Sequence, residues 1–366
     1  MTRGLIRALR FARGWGAAGP RVLEEELEID RGDRLLPATL FRPGHRKRSL
    51  PGWVLLHGIT RPGRHHPMLV RFARALARSG AAVLVPEIPE WRELHLAPEQ
   101  VADTIRAAVL ELDEAPVTAK GRTGVIGFSF GAPQALIAST DPSLEGHLAA
   151  VVGFGGYCDL DTTVRFLFLG EHQWRGEVLT REPDPYGRWV LGANYLVRAR
   201  GFEDAEDVAE ALLTLARKAG DVRLAAWEGH LDGLKRKLEG GVHPDRRGLF
   251  RVFAPPAGEN PPVGPVNELA PALAQAMRES TRMAEPGPFL KQVPIPVRLI
   301  HGWEDRLIPF SETYLLRSLF PDGSDVRVHM TGLFSHSQTN GVRGHVTALR
   351  EKILFLRMLT DILGLV

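Results

Sequence analysis

The sequence holds a single cysteine, Cys158, among 366 residues. One thiol excludes an intrachain disulfide framework and a metal site built from several cysteines, so the fold depends on its hydrophobic core. The sequence also has no apolar run near the roughly 20 residues that a membrane-spanning helix requires. Its hydrophobic fraction of 44% and charged fraction of 24% are those of an ordinary globular protein and exclude a mainly disordered chain.

Several cofactor and metal motifs are missing. There is no phosphate-binding G-x-x-x-x-G-K-[ST] loop and no H-E-x-x-H pair, and the 13 histidines show no metal-ligand spacing. The glycine cluster at residues 153–156 lacks the third glycine of a dinucleotide fingerprint. It is followed by Asp159-Leu160-Asp161, which does not predict a clear helix. We therefore expect neither a cofactor nor a metal ion.

The chain has little excess charge, since 46 basic and 43 acidic side chains give a formal net charge of +3. Residues 1–20 contain four arginines and no acid, so the remaining chain carries −1 and no extended basic face is implied. No nucleic-acid partner is expected. The same arginines interrupt the apolar region that a signal peptide needs, and we expect a cytoplasmic protein.

The N-terminal segment, residues 1–20, is interpreted as a basic helix. Its arginines cluster on one arc of the helix, whereas Leu5, Leu9 and Ala12 lie opposite and Ile6 is the exception. A helix packed on its own domain is the favoured interpretation. A weak peripheral membrane contact through residues 1–15 stays open beside it, and stable membrane insertion is not expected.

Apolar strands and helices alternate along residues 21–156. Two extended segments, Val22–Ile29 and Leu35–Phe41, predict an antiparallel start to a sheet. Short, nearly continuous apolar runs then alternate with segments of helical spacing, up to the predicted strand Leu148–Phe154. The pattern resumes in residues 291–366 with the predicted strands Val297–His301 and Val326–Met330. This alternation predicts an α/β fold with a mostly parallel sheet flanked by helices.

Residues 157–290 interrupt this alternation. They predict helices without intervening strands, the clearest of which covers Asp204–Lys218 and ends before Gly220. We therefore predict one α/β core with a mainly helical cap inserted into it. Six aromatic side chains of the insertion are candidates for an apolar roof over a site, although packing within the insertion is the favoured alternative: Phe166, Phe168, Trp174, Tyr186, Trp189 and Tyr195.

The strongest local signal is Gly127-Phe128-Ser129-Phe130-Gly131, a G-x-S-x-G segment between a predicted strand and a predicted helix. A nucleophilic serine on such a sharp turn has a strained backbone, and the two glycines leave room for neighbouring backbone. The helix that follows directs the positive end of its dipole at the serine. This context favours a catalytic Ser129 over a plain strand-to-helix turn.

A catalytic serine needs a base, and the base needs a carboxylate that orients it. The predicted strand Val297–His301 runs into a polar turn that carries Asp305, and Val326–Met330 leads to a loop that carries His336. The carboxyl ends of parallel strands meet at one edge of a sheet, so both loops are expected at the same edge as Ser129.

Other residues compete for these two roles. Three further carboxylates stay open as the acid: Glu304, Asp159 and Asp161. His329 lies inside a predicted strand and His345 inside a predicted helix, and both are interpreted as structural. Cys158 is interpreted as a small, partly buried side chain near the start of the insertion, not as a catalytic thiol.

Taken together, these motifs resemble those of the α/β-hydrolase family. Leu55-Leu56-His57-Gly58 resembles the family's oxyanion strand end, and residues 127–131 resemble its nucleophile elbow. His301-Gly302-x-x-Asp305-x-x-Ile308-Pro309 resembles its acid turn, and His336 its terminal histidine. The resemblance covers about residues 22–156 and 291–366. The insertion falls where the family often carries a cap, after the sixth strand.

The resemblance implies a role for each matched residue. Ser129 would be the nucleophile, His336 the general base and then acid, and Asp305, in preference to Glu304, the residue that orients His336. The backbone N–H groups of Ile59 and Phe130 would form the oxyanion hole. Four residues would support this geometry without touching the reacting atoms: His57, Gly58, Gly127 and Gly131. The segment after His57 lacks the glycine-rich run of lipase-type oxyanion holes, so a preference for bulky tertiary esters is not implied.

Basic side chains follow the oxyanion strand end, at residues 61–66. Arg61, Arg64 and the pair His65-His66 could bind an anionic substrate near the entrance to the site, but a solvated helix start is the favoured interpretation.

We therefore predict a serine hydrolase, specifically a carboxylesterase that cleaves a small-molecule ester through an acyl-enzyme intermediate. A small-peptide or amide hydrolase and an acyltransferase would use the same three residues and stay open, since fold and triad do not choose among them. A non-catalytic binding relative is the alternative from another class. The presence of Ser129, Asp305 and His336 argues against it.

Overall fold

An eight-stranded sheet runs through the molecule in the order β1-β2-β4-β3-β5-β6-β9-β10. The computed structural model describes residues 2–44, 49–222, 226–332 and 345–366. Within these residues the strands are β1 (Val22–Asp30), β2 (Leu35–Pro43), β3 (Leu50–Leu56), β4 (Ala82–Pro86), β5 (Thr118–Phe128), β6 (Leu148–Phe154), β7 (Glu171–Trp174), β8 (Glu177–Thr180), β9 (Val297–Gly302) and β10 (Val326–Thr331).

Strand direction follows the sequence pattern. β2 pairs antiparallel with β1 and with β4, whereas β3, β4, β5, β6, β9 and β10 are mutually parallel. Central strands such as β3 and β4 are buried along their whole length, which explains their continuous apolar runs. The predicted α/β fold with a mostly parallel sheet is confirmed. The carboxyl ends of β3, β5, β9 and β10 meet at one edge.

Helices cover both faces of the sheet. They are α1 (Thr2–Trp15), α2 (Pro67–Ser79), α3 (Pro89–Arg92), α4 (Pro98–Glu114), α5 (Gly131–Ala138), α6 (Leu160–Leu169), α7 (Pro185–Tyr195), α8 (Glu206–Val222), α9 (Asp232–Gly241), α10 (Arg247–Phe253), α11 (Val263–Ser280), α12 (Ser311–Leu319) and α13 (His345–Leu363). Over the described ranges, no helix combines the length and apolar character needed to cross a membrane.

Two buried apolar clusters lie on opposite faces of the sheet. On one face α1, α2 and α13 contribute side chains such as Phe11, Leu76 and Met358. On the other face the cluster contains side chains of α4 and α5 and continues without a break into the insertion, where it includes Leu212 and Phe253. The insertion therefore shares its hydrophobic core with one face of the sheet.

The insertion between β6 and β9 contains α6 to α11 and the antiparallel pair β7-β8. The prediction of helices without strands is wrong for this hairpin. Its two-residue turn, Arg175-Gly176, has φ angles of +54° and +82°, as a type I′ turn requires. Each strand is four residues long and lacks clear apolar alternation, so the pattern gives little signal.

The predicted helix Asp204–Lys218 corresponds to α8, which continues through Gly220 to Val222. The expectation that Gly220 follows the helix end is wrong. A Cβ at Gly220 would lie 2.7 Å from Cγ of Arg61, in the segment after β3. Glycine at this position allows close approach of the insertion to the loop that follows β3.

Helix α1 packs on its own domain, as the favoured interpretation predicted. Ala8 and Phe11 are buried against α2 and α13, and a Cβ at Gly4 would lie 2.4 Å from the carbonyl oxygen of Thr360. Leu5 and Leu9 do not make this contact and are exposed to solvent.

Candidate active site

Ser129 lies on a sharp turn between β5 and α5. Its φ is +55°, a left-handed conformation that costs a non-glycine residue about 1–2 kcal/mol. Two hydrogen bonds hold the turn: Ser129 N donates to the carbonyl oxygen of Phe154 at 2.7 Å, and Ala132 N donates to that of Ser129 at 2.9 Å. The strain expected for a nucleophile elbow is present at the expected residue.

The two glycines of the turn have different steric requirements. A Cβ at Gly127 would lie 2.1 Å from the carbonyl oxygen of Gly131, so no other residue fits there. A Cβ at Gly131 would lie 3.3 Å from the ring of Trp91 and 3.4 Å from the carbonyl oxygen of His57, which is a tight contact but not an overlap. The sequence argument that both positions require glycine is therefore strict only for Gly127.

The chain leaving β3 passes directly beside Ser129. A Cβ at Gly58 would lie 3.5 Å from the Cβ of Ser129. Among the described residues, no hydrogen-bond acceptor is found for the N–H of Ile59 or the N–H of Phe130. These are the two groups expected to form the oxyanion hole.

His57 is buried beneath this loop, as expected of a supporting residue. Its Nε2 accepts a hydrogen bond from Ile88 N at 3.2 Å and lies 3.5 Å from Oε1 of Glu87, while its Nδ1 is 2.8 Å from the carbonyl oxygen of Gly58. Burial alone would raise the pKa of Glu87, but the charges of Arg92 and Arg64 help to hold it below its usual value of 4.5. His57 thus links the oxyanion loop to a buried charge.

The insertion contacts the same loop. The hydroxyl of Tyr186, on α7, lies 3.5 Å from the carbonyl oxygen of Ile59 and donates to it. Burial raises the pKa of Tyr186, so the hydroxyl stays protonated and remains a donor. Arg61 donates to Asp221 of α8 at 3.0 Å and to the carbonyl oxygen of Arg92 at 2.7 Å. The loop after β3 is therefore held between α3 and the insertion.

Asp305 lies on the turn after β9 and is almost completely buried. Its Oδ1 accepts hydrogen bonds from Leu307 N at 2.9 Å and Ile308 N at 3.0 Å, and its Oδ2 lies 3.6 Å from Nε2 of His301. His301 in turn contacts Thr313 at 2.6 Å. The carboxylate is thus fixed in one orientation. Leu307 and Ile308 line the same cavity as Ser129, so the acid turn and the serine turn meet there.

Two rival acids have structural roles. Asp159 caps α6, since its Oδ1 accepts a hydrogen bond from Thr162 N at 2.8 Å. Asp161 forms an ion pair with Arg278 at 2.7 Å. The expectation that no clear helix follows Gly156 is wrong, because α6 begins at Leu160, directly after this cap. The third rival, Glu304, is half-buried beside Asp305.

The predicted base, His336, lies outside the described residues. His329 lies on β10, where its Nε2 is 2.9 Å from Oδ2 of Asp361, in agreement with a structural role. His345 is the first residue of α13. Of the eight other residues assigned from the sequence, Ser129, Asp305, Ile59, Phe130 and Gly58 lie on loops at one edge of the sheet, and His57, Gly127 and Gly131 lie next to these loops in the chain.

An apolar cavity of about 110 Å³ lies above Ser129. Its floor is formed by the core and its walls by α6, α7 and α11 of the insertion. Of the described residues, those that line it are uncharged: Ile59, Leu96, Ser129, Phe130, Tyr157, Leu160, Thr163, Val164, Leu167, Tyr186, Gly187, Val190, Leu191, Met277, Leu307 and Ile308. Such a cavity suits an uncharged, apolar group.

Of the six aromatic candidates in the insertion, Tyr186 alone lines this cavity, and the favoured interpretation, packing within the insertion, is correct for three of the others. Phe166, Phe168 and Trp189 are buried in the core of the insertion, and Trp174 packs on Phe310 of the α/β core, with ring centroids 5.3 Å apart. The remaining candidate, Tyr195, lines a separate polar cavity. Aliphatic side chains form the roof instead, because the large rings are needed to fill the interior of the insertion.

Both arginines in the segment after β3 form ion pairs. Arg64 donates to Oε2 of Glu26 at 2.7 Å, and Arg61 is paired with Asp221 and Glu93. His65 ends a short 3-10 turn, and His66 directly precedes α2, where its carbonyl oxygen accepts a hydrogen bond from Val70 N at 3.0 Å. The structure therefore favours the helix-start interpretation over an anion site.

Glu312, on α12, is a residue that the sequence analysis missed. Its Oε2 accepts hydrogen bonds from Cys158 N and Asp159 N, both at 2.9 Å, and its Oε1 accepts one from Thr162 Oγ1 at 2.7 Å. Burial raises the pKa of Glu312 above its usual value of 4.5. The start of the insertion is thereby attached to the core. No motif signals this role, because the partners are about 150 positions away.

Burial also raises the pKa of the Cys158 thiol, with a further contribution from the carboxylates around it. A thiol that stays protonated is a poor nucleophile. This agrees with the interpretation of Cys158 as a structural side chain.

Solved structures with the α/β-hydrolase fold superimpose on the chain. An acylaminoacyl peptidase from Pyrococcus horikoshii, in an orthorhombic crystal form, matches with a TM-score of 0.50 and 13% identity, over 94% of this chain and 41% of the peptidase chain. The uncomplexed form of that peptidase matches with a TM-score of 0.52 and 15% identity, over 94% of this chain and 43% of the peptidase chain. One of two fungal esterases from Rhizomucor miehei matches with a TM-score of 0.50 and 15% identity, over 99% of this chain and 91% of the esterase chain.

The chain spans about two fifths of the length of those peptidase chains. No family model and no curated protein matches the sequence. At 13–15% identity the structural likeness shows the fold, and the chain has the α/β-hydrolase fold.

Proposed function

We propose that the protein is a serine hydrolase, specifically a carboxylesterase that uses Ser129, Asp305 and His336. The observation that carries this proposal is Ser129, held at a φ of +55° and lining an apolar cavity. Strained backbone at a serine in a cavity is expected when the serine reacts and is not needed for folding. Two further observations support the same proposal. Asp305 is buried on a turn whose next residues, Leu307 and Ile308, line the cavity, and the N–H groups of Ile59 and Phe130 find no acceptor among the described residues.

The proposed reaction has two halves. His336 takes the proton of Ser129 Oγ as the oxygen attacks the ester carbonyl carbon, and the N–H groups of Ile59 and Phe130 stabilise the resulting oxyanion. The C–O bond to the alcohol then breaks, and His336 gives its proton to the departing alcohol. A water molecule attacks the acyl-enzyme in the same way, which releases the acid and restores Ser129. Asp305 orients His336 throughout.

The lining of the cavity supports an ester with an uncharged, apolar acyl group. A peptide with a charged terminus would leave that charge without a counter-charge among the described lining residues, at a cost of several kcal/mol. An uncharged acyl chain meets mainly aliphatic and aromatic surface there. This favours an ester over a small peptide.

A fluorophosphonate probe tests the nucleophile. We expect the probe to label the wild-type protein and not Ser129→Ala, while Ser143→Ala, which removes a surface hydroxyl bonded to Asp141, is labelled normally. The Ser129→Ala protein should also lose turnover of p-nitrophenyl acetate. Unchanged turnover in Ser129→Ala would contradict the proposal. Absence of both labelling and turnover in the wild type would favour a non-catalytic binding protein.

A paired substrate series tests the substrate class. The kcat/KM for p-nitrophenyl esters of increasing acyl length is compared with that for p-nitroanilides of the same acids. We expect the esters to be hydrolysed faster and kcat/KM to rise with acyl length until the cavity is filled. If the anilides were cleaved as fast as the esters, the result would contradict the esterase proposal and indicate an amide hydrolase.

A further inference from the structure

The outward face of α1 exposes large apolar side chains. Leu5 is 43% exposed, Ile6 50% and Leu9 48%, whereas Ala8 and Phe11 on the inward face are buried. Residues three and four positions apart are neighbours on a helix surface, so Leu9 lies beside both Ile6 and Leu5, and the three side chains form one apolar patch. The three side chains face solvent, so this patch is not part of the surface by which α1 packs on the domain.

Positive charge surrounds this apolar patch. Arg3, Arg10 and Arg13 are exposed on α1, and they form no ion pair with any residue that the structure describes. The adjacent helix α2 contains three more arginines, and neither helix contains an aspartate or glutamate. On α2, Arg74 is paired with Glu24 of β1 at 2.8 Å, whereas Arg71 donates to the carbonyl oxygen of Trp15 and Arg78 to that of Gly14, so the charges of Arg71 and Arg78 are bonded to neutral groups of α1.

The helix is already fixed before it meets a partner. Besides the burial of Ala8 and Phe11, Arg7 donates to the carbonyl oxygens of Leu363, at 3.0 Å, and Val366. A surface held in this way loses little conformational entropy when it binds. The apolar patch and its arginines are therefore presented together.

We propose that the outward face of α1 binds the surface of a bilayer that contains anionic phospholipid. Leu5, Ile6 and Leu9 would enter the boundary between headgroups and acyl chains, and Arg3, Arg10 and Arg13 would contact the phosphate groups. An exposed apolar strip with flanking cations is typical of helices that lie in the plane of a membrane interface. Nucleic acid would match the arginines but would leave the apolar patch exposed to water.

Co-sedimentation of the full chain with vesicles tests the proposal. We expect the protein to bind vesicles of phosphatidylcholine and phosphatidylglycerol in equal parts, and to bind vesicles of phosphatidylcholine alone much more weakly. Added salt should weaken binding to the anionic vesicles, because the charges act at the exposed surface. Equal binding to both vesicle types, or no binding to either, would overturn the proposal.

Two sets of substitutions separate the two contributions. The triple variant Arg3→Gln, Arg10→Gln, Arg13→Gln should lower the partition coefficient on the order of a hundredfold, about fivefold for each arginine. The double variant Leu5→Ser, Leu9→Ser should lower it about tenfold. All five side chains are exposed, so thermal unfolding should not change, and activity at Ser129 should be unaffected.

Matched controls use the same changes elsewhere. Arg200→Gln, Arg236→Gln, Arg282→Gln removes three exposed arginines of the insertion region, and Leu35→Ser removes a leucine of β2 that is 58% exposed. Both controls should bind vesicles as the wild type does. If the arginine control lost as much binding as the α1 triple variant, or if the double leucine variant bound normally, only net charge would matter and the proposal would be wrong. Binding to duplex DNA that survives the leucine substitutions while vesicle binding is absent would point to a polyanion instead.

Discussion

The loops that carry Ser129 and Asp305 and the insertion that roofs them are built differently. In the loops the backbone itself is constrained: Ser129 adopts a φ of +55°, and Oδ1 of Asp305 accepts two backbone N–H groups. In the roof, aliphatic side chains of α6, α7 and α11 provide the surface. A constrained backbone accepts one residue type, whereas an apolar wall accepts several. Changes in the loops should therefore abolish the proposed activity, and changes in the roof should alter its range.

The largest expected effect is at the acid. Asp305→Asn keeps the shape of the side chain but removes the charge that orients the proposed base, so we expect kcat for an ester to fall by roughly 10³–10⁴. Asp159→Asn is the matched control: it keeps an N-cap acceptor on α6, and kcat should be nearly unchanged. An equal fall in kcat in the two variants would mean that neither Asp305 nor Asp159 can be identified as the acid. A larger loss in Asp159→Asn would move the role to that residue.

The next effect concerns the turn itself. A methyl group at Gly127 would lie 2.1 Å from a backbone oxygen, so Gly127→Ala should lower the free energy of unfolding by about 3 kcal/mol and remove activity. In Gly131→Ala the new contacts are 3.3 Å or longer, and we expect a change within about 1 kcal/mol. Chemical denaturation measures both. Similar losses in the two glycine variants would contradict the steric difference between them.

A smaller effect is expected in the roof. Leu167→Ala enlarges the cavity, so the preferred acyl chain should become longer and the ratio of kcat/KM for long over short esters should rise about tenfold. Leu212→Ala removes the same atoms from the core of the insertion, away from the cavity. Both variants should lose about 2 kcal/mol of stability, but only the first should change chain-length preference. A change of chain-length preference in both variants would mean that destabilisation of the insertion, and not the size of the cavity, alters the preference.

The smallest effect is expected where the two regions join, at Glu312. Its pKa is raised above 4.5 in the folded protein, so between the unfolded and folded pKa values the folded state binds more protons, and stability falls as pH rises through that window. Glu312→Gln has no such titration and can keep all three hydrogen bonds, with its oxygen towards Cys158 N and Asp159 N and its amide towards Thr162.

Thermal unfolding across pH should therefore show wild type losing stability relative to Glu312→Gln as pH rises above 4.5, with the two proteins within about 1 kcal/mol at neutral pH. Glu312→Ala, which leaves two buried N–H groups without acceptors, is the control and should lose more at every pH. A pH-independent difference between wild type and Glu312→Gln would mean that the carboxyl has no raised pKa.

The same division explains what could be predicted from the sequence. Strands β3, β4 and β6 and the second half of β5 are apolar because they are buried on both faces, so the pattern indicates them. The turn at Ser129 requires Gly127, so the motif indicates the turn. No sequence motif indicates the roof, because any of several aliphatic residues can line the cavity. The aromatic residues that the sequence analysis selected, such as Trp189, fill the interior of the insertion instead. Glu312 and the β7-β8 hairpin were missed because their roles depend on contacts distant in sequence or on very short strands.

The junction at Glu312 also contains the chain's one thiol, and this gives a direct measure of how often the insertion separates from the core. Cys158 is buried, its pKa is raised, and its own N–H is bonded to Glu312. A thiol-reactive reagent can modify it only during a transient opening of this junction, and no other cysteine contributes to the signal. The rate of modification at high reagent concentration then reports the opening rate itself. An opening rate slower than ester turnover would mean that substrate reaches Ser129 without detachment of the insertion.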